Sequence, residues 1–509
     1  MNLFLPSDSR PVHFVGIGGA GMGALALLAL RRGVVVSGTD RSPEGAADLA
    51  ARGATVGPHD PGAVGRARAV VVSAAIPVDH PEIIRARELG IPIVSRKRAL
   101  ADLVATGRTI GIAGTHGKTT TTVMTTEALV AAGFDPTGLA GGRVATWGGN
   151  ARVGGEALYV VEADEYDQAF LELNPVVAVI NNVEPEHLEC YEGSVDAMEA
   201  AFATFAGRAQ RAIIGVVDAG SERVANRVSS SAARATRIWR FGFAAPDLSL
   251  GGVHATARGS EAVVRLPGGN TVTLRLSVPG SHNLLNATGA LGVVVSLGGK
   301  LEAALEALER FTGVGRRFER RGDAAGVTLV DDYAHHATEL KATLAAARQA
   351  FPGRRLVAVF QPHLYSRTAV QFGAMAEAVA GADLVFITEI YAAREAPVPG
   401  VSGRLVADTA RARGTQVLFM ADPAQLLDAV ADAVRPGDVV LTLGAGDITN
   451  LGPALLKRLT AKEQGAGSRE QGAGSRDQGA GSREQAAGSG EQGGGSQGPE
   501  AGSGEQGGG

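Results

Sequence analysis

The chain has 509 residues, 45% of them hydrophobic and 20% charged, with a formal net charge of -4. That length exceeds one ordinary core and predicts about three domains. The mild negative balance excludes the basic field of a nucleic-acid binder, and a single cysteine, Cys190, excludes an internal disulfide framework and suits a reducing compartment.

The first ten residues are polar and carry no signal-peptide pattern. The apolar stretch 24–30 stops at Arg31 and Arg32, far short of a bilayer span. The expectation is a cytoplasmic protein, monomeric or weakly dimeric, with no membrane insertion and no nucleic-acid partner. Short apolar runs at 12–15, 34–37, 70–73, 109–113, 158–161 and 176–180 alternate with longer amphipathic, Ala/Leu-rich segments. Buried parallel strands joined by crossover helices produce this pattern, so the fold class is α/β.

The run at 12–15 opens into G-I-G-G-A-G-M-G, with Gly16, Gly18 and Gly21 at the spacing of a dinucleotide-binding turn. Glycines there permit a tight turn and close backbone approach, and the next helix points its N-terminus at a diphosphate. Asp40 closes the following run, where a ribose-binding acid would sit. Taken alone the loop fits NAD, or any nucleotide diphosphate including a UDP-sugar. Glycines needed only for helix–strand packing are the bland alternative.

The run at 109–113 leads into Gly114-Thr115-His116-Gly117-Lys118-Thr119-Thr120. Backbone N–H groups of such a loop wrap a β-phosphate, Lys118 reaches the β- and γ-phosphates, and the Thr119 hydroxyl coordinates Mg²⁺. Ile112 stands where the general phosphate-loop pattern has its first glycine, so the loop is a variant type. The run at 158–161 ends in Glu162-Ala163-Asp164-Glu165-Tyr166-Asp167, and the run at 176–180 in Asn181-Asn182-Val183-Glu184-Pro185-Glu186-His187. Carboxylates and an imidazole at two such strand ends point to one metal–phosphate centre. A charge run that only solvates a face is the alternative.

Residues 253–277 alternate apolar and polar around turn glycines, which predicts an antiparallel appendage, and a third strand begins at 327–330 after a Gly/Arg-rich loop. The predicted units are 1–107, 108–313 and 314–460. From 461 to 509 the chain collapses into repeats such as E-Q-G-A-G-S-R, too poor in apolar side chains to offset ordering entropy, and a disordered tail is expected.

With these motifs in hand, the sequence resembles the Mur ligases over residues 11–460, most closely their alanine-adding branch. The resemblance is carried in order by G-I-G-G-A-G-M-G, G-T-H-G-K-T-T, E-A-D-E, N-N-V-E-P-E-H, P-G-S-H-N-L-L-N, G-V-G-R-R-F, D-D-Y-A-H-H-A-T-E, F-Q-P-H-L-Y-S-R-T, E-A-P-V-P-G and G-A-G-D-I. It implies a Rossmann-like N-terminal domain, a central phosphate-loop ATPase-type domain and a Rossmann-like C-terminal domain, with ATP and Mg²⁺ as cofactors and UDP-N-acetylmuramate and L-alanine as substrates, joined through an acyl phosphate. The UDP-sugar would sit at Gly16, Gly18, Gly19, Gly21 and Met22, with Asp40 and Ser73 beside it. ATP would sit on Gly114 to Thr120, His282, Asn283, Asn286 and a hinge arginine, Arg316 or Arg317. Thr119, Glu162 and His187 would hold metal; Tyr333, His335, His363 and Arg367 would bind the amino acid. Lys118, Glu162, His187 and His335 are the expected catalytic groups.

Three positions depart from the family pattern. Leu364 replaces a frequent arginine and removes one clamp on the amino-acid carboxylate, leaving more of that load to Arg367; Ala334 and Ala337 replace a frequent glycine and proline. The absence of any lysine between Lys118 and Lys300 excludes the carbamylated lysine that some relatives use. The competing readings are a ligase adding a whole tripeptide, an NAD-dependent oxidoreductase and a non-catalytic UDP-sugar sensor.

Overall fold

The computed structural model describes residues 3–230, 236–256, 259–393 and 395–464. Three sheets follow one another along the chain, and their central strands are the buried apolar runs. The first holds β1 (Val12–Val15), β2 (Val36–Thr39), β3 (Thr55–Gly57), β4 (Ala69–Val72) and β5 (Ile93–Ser95), all paired parallel in the order β3-β2-β1-β4-β5. The order reverses beside β1, so its glycine loop and the helix Ala20–Arg31 lie at the switch point where α/β sheets bind ligands. β2 starts two residues beyond the apolar run at 34–37, because the Val34 N–H still bonds to Ala29 O and closes that helix.

The central sheet contains β6 (Arg108–Ala113), β7 (Thr137–Val144), β8 (Gly149–Arg152), β9 (Leu158–Glu162), β10 (Val177–Ile180), β11 (Arg211–Gly215), β12 (Arg237–Gly242), β13 (Leu248–Thr256), β14 (Gly259–Arg265) and β15 (Thr271–Leu276). β6 is flanked by β10 and β9, both parallel to it, so the loops after all three open at one edge. Three motifs distant in sequence converge for that reason. β13 to β15 form the antiparallel edge that the alternation at 253–277 predicts.

The third sheet runs β16 (Glu319–Ala324), β17 (Val327–Asp332), β21 (Val439–Leu443), β18 (Leu356–Phe360), β19 (Leu384–Ile387) and β20 (Val417–Phe419), parallel except at the β16 edge. Residues 451–464 are helical, so the first four residues of the expected tail continue a helix instead. The remainder, 465–509, lies outside the described residues.

The three sheets are not joined alike. One apolar cluster runs from the first sheet into the central one, taking in Leu25, Ala29, Leu103, Tyr159, Val161 and Phe170. Arg32 reinforces it, donating to Leu103 O at 2.7 Å, Tyr159 Oη at 2.5 Å and Glu156 Oε1 at 3.1 Å. The third sheet keeps apolar clusters of its own, and polar contacts such as Thr338–Glu184 and Arg367–Glu186 tie it to the central domain. Among the described residues no helix is long and apolar enough to cross a membrane.

Candidate active site

The phosphate loop closes onto the helix Lys118–Ala131 through Gly117, which has φ +78°. A Cβ there would run into Asn286 Oδ1 and Asn181 Nδ2, so this position requires glycine for conformation and for space. Asn182 Oδ1 accepts the His116 N–H at 2.7 Å and Asn181 Nδ2 donates to His116 O at 3.2 Å. The loop is thus shaped by side chains from the end of β10.

Lys118 Nζ donates to Gly114 O at 2.7 Å, Thr115 O at 3.2 Å and Glu165 Oε1 at 2.9 Å. Burial works against its charge, but Glu165 and Asp164 outweigh that and raise its pKa, so the amine stays protonated. Thr119 Oγ1 donates to Glu162 Oε1 at 3.1 Å, and Glu162 Oε2 accepts the Gly141 N–H at 2.5 Å. A hydroxyl and a carboxylate converging beside a phosphate loop are hard oxygen donors of the kind Mg²⁺ takes. His187 lines the same cleft, edge-on to Tyr166 at 5.0 Å and 3.4 Å from Glu189 Oε1.

That cleft, about 1110 Å³, lies between the central and third sheets, with Thr115, Lys118, Thr119, Glu162, His187, Arg316, Tyr333, His335, His363 and Arg367 on its walls. It adjoins a cavity of about 290 Å³ lined by Gly117, Thr120, His282, Asn283, Asn286 and the rings of Phe241 and Phe243. Burial holds His282 neutral, at about 4. Apolar walls with amide groups at one end suit a purine base next to the phosphate loop. The aromatic pair was not singled out by sequence, since W-R-F-G-F reads only as a strand end.

Facing the loop, the third domain offers a connected set. His335 Nδ1 lies 2.9 Å from Tyr333 O and 3.3 Å from Glu339 Oε2. Donating from Nδ1 leaves the lone pair on Nε2, and burial lowers His335 to about 3, so the imidazole is neutral. Arg367 Nε donates to Glu186 Oε1 at 3.0 Å, Nη2 donates to the same oxygen, and Nη1 donates to His363 Nδ1 at 3.1 Å. His363 in turn stacks on Tyr391. Leu364 has φ +66° and shares the cleft wall with Arg367.

A polar seam joins the two walls. Thr338 Oγ1 donates to Glu184 at 2.8 Å, His336 Nε2 lies 3.3 Å from Glu186, and His116 sits 3.3 Å from Glu339 and 3.4 Å from Glu184. Burial opposes charge on His116, yet the hydrogen bonds it donates to Glu184 and Glu339 raise it to about 9. Glu184 and Glu186 read in sequence as carboxylates for a metal–phosphate centre, and in the structure they also hold the third domain; Glu165, from the other acidic strand end, pairs with Lys118, and Glu339 drew no attention as a site. N-N-V-E-P-E-H and H-A-T-E displayed these acids, but partners such as Thr338 for Glu184 and Arg367 for Glu186 lie 154 and 181 residues away.

Some expected residues are engaged elsewhere. Arg316 donates through Nη2 to Gly444 O at 2.7 Å and Gly446 O at 3.1 Å, bracing its own domain, whereas Arg317 pairs with Glu339 at 3.4 Å and lines both cavities. In the first domain, Asp40 accepts the N–H of Gly18 at 2.9 Å and of Ser42 at 3.0 Å, holding the glycine loop itself. Met22 packs into the core at 3% exposure and offers no side chain to a ligand. Gly16, Gly19, Gly21 and Ser73 gather at the same carboxyl edge of the sheet, outside the walls of the central cleft.

Models of the Mur ligase family match in order along the chain: the family's catalytic domain at 11–108, the middle domain at 112–294 and the glutamate ligase domain at 316–446. UDP-N-acetylmuramate–L-alanine ligase of Mycolicibacterium vanbaalenii is 44% identical over 478 residues, covering 90% of this chain and 98% of that protein. The chain belongs to the Mur ligase family. The enzyme of the same name from Nitratidesulfovibrio vulgaris is 43% identical over 449 residues, 87% of this chain and 97% of its own. Among solved structures, UDP-N-acetylmuramate-alanine ligase MurC of Thermotoga maritima superposes with a TM-score of 0.75 at 30% identity, covering 89% of this Mur ligase and 99% of that chain. A murein peptide ligase of Psychrobacter arcticus shares the fold, with a TM-score of 0.65 at 24% identity over 89% and 99% of the two chains.

Proposed function

We propose that this Mur ligase joins L-alanine to the lactyl carboxylate of UDP-N-acetylmuramate at the expense of ATP, in the cytoplasm. The observation that carries the reading is the single cleft that has Lys118, Thr119 and Glu162 on one wall and His335, His363 and Arg367 on the other. The names of its relatives over nearly their full length agree with it.

Lys118 would leave its loop carbonyls for the phosphates of ATP, with the base in the Phe241–Phe243 cavity. Thr119 and Glu162, and on the far side His187, would hold Mg²⁺, which neutralises charge on the phosphates. A carboxylate oxygen of the sugar attacks the γ-phosphorus and ADP leaves. The amine of L-alanine then attacks the acyl carbon and inorganic phosphate leaves. Activation is needed because a carboxylate is a poor electrophile, and the protein's share is positioning and charge neutralisation. Arg367, released from Glu186, would take the alanine carboxylate, and neutral His335 offers an acceptor for the amine proton. The test is phosphate release from ATP and Mg²⁺ with UDP-N-acetylmuramate and, separately, L-alanine, glycine, L-serine or the tripeptide. Dependence on both the UDP-sugar and L-alanine is expected; preference for the tripeptide would move the chain to the other branch.

A further inference from the structure

Away from the cleft, three of the chain's ten histidines gather around one carboxylate in the first domain. Glu82 is fully buried in the first turn of the helix Pro81–Glu88, and His80 caps that helix by accepting its N–H at 3.4 Å. Glu82 Oε1 accepts from Asp60 N–H at 2.9 Å and Thr39 Oγ1 at 2.8 Å and lies 3.2 Å from His59 Nδ1. Its other oxygen lies 3.3 Å from His13 Nε2, and Ser37 Oγ steadies that ring from the far side at 2.9 Å. The rings of His59 and His80 meet edge-on at 4.7 Å, and one nitrogen of each lies within 4.8 Å of the carboxylate and of the other.

We propose that His59, His80 and Glu82 form a binding site for a divalent transition-metal ion such as Zn²⁺. Two imidazoles and one carboxylate are a donor set that zinc takes and that Mg²⁺, which prefers oxygen alone, does not. The carboxylate is already oriented by Thr39, Asp60 and His13, which is the outer support a metal-ligating carboxylate needs. Zinc holds its ligands at about 2.0–2.2 Å, so the two rings must close by roughly 1 Å. His59 is exposed and His80 half-buried, so both can turn while Glu82 stays fixed. The metal would stand where His59 now shares a proton with Glu82, and its fourth position would be open to water or an anion. Thr39 precedes Asp40, the residue that holds the first glycine loop, so occupancy would also stiffen that loop's support.

The full chain, freed of metal and kept in excess Mg²⁺, is titrated with Zn²⁺ by calorimetry and with Co²⁺ by visible absorption. The expected result is one site with a Kd on the order of micromolar or tighter, weakened at least about tenfold by His59→Ala and by His80→Ala. The bands of four-coordinate Co²⁺ should appear in the parent and vanish in both variants, whose folding is checked by circular dichroism. His116, Glu184 and His336 also lie within reach of one ion. Equal affinity in the parent and both variants would therefore assign the metal to the cleft and overturn the proposal, as would binding only above about 1 mM.

Discussion

Lys118, His116 and Leu364 each make a separate expectation at the level of one side chain. Replacing Lys118 with Ala should cut ATP-dependent phosphate release by about a hundredfold or more. UDP-sugar affinity should be nearly intact, because the first glycine loop lies in another domain; an equal loss of both would refute the division of labour. His116 is raised to about 9 by Glu184 and Glu339 against the pull of burial. A folded-state value above the ordinary one near 6.5 means its contacts stabilise fully below about pH 6.5 and are lost as pH climbs through about 9. Thermal midpoints of the parent and His116→Asn should therefore converge with rising pH, and a constant gap would exonerate His116. Leu364→Arg restores a guanidinium to the cleft wall without a new backbone demand, since neither residue is glycine at φ +66°. It should lower the KM for L-alanine several-fold with kcat little changed; an unmoved KM would place the amino-acid carboxylate elsewhere.

At the level of the element, the phosphate loop shows how a turn is specified twice. Gly117→Ala meets both a left-handed backbone and Asn286, a strain of about 1–3 kcal/mol that should depress the thermal midpoint and abolish ATP turnover together. Gly133 has φ +98° but nothing near its missing Cβ, so Gly133→Ala should cost about 1–2 kcal/mol of stability and leave turnover intact. Such loops are legible in sequence because they need glycine, and the strands feeding them because burial on both faces leaves an unbroken apolar run. Legibility fails where meaning depends on a distant partner. Nothing in E-P-E-H announces that Glu186 meets an arginine 181 residues later. Nor does G-A-G-M-G say that Met22 turns inward while the glycines on either side of it stay half-buried. The start of β2 was misplaced by two residues because Val34 ends a helix with the same apolar side chain that could begin a strand.

The whole molecule combines two kinds of joint. The first and central domains share an apolar core pinned by Arg32, whereas the third is fastened by Glu184, Glu186, His116, His336, Thr338 and Arg367. Glu186→Gln removes the charge from the buried pair with Arg367, and the ligand-free protein should then open, with a larger radius of gyration in solution scattering; identical scattering curves would show the seam to be ornamental. A second fastening lies at the antiparallel edge, where Gln349 Nε2 donates to Gly259 O at 3.2 Å and Ser260 Oγ at 2.9 Å. These partners belong to β14, and they are uncharged. Held at that margin by neutral bonds and at the cleft by ionisable ones, the third domain is built like a door, with a hinge post on one side and a latch on the other. Anything that carries charge into the cleft, a nucleotide or an amino acid, arrives at the latch and leaves the post untouched.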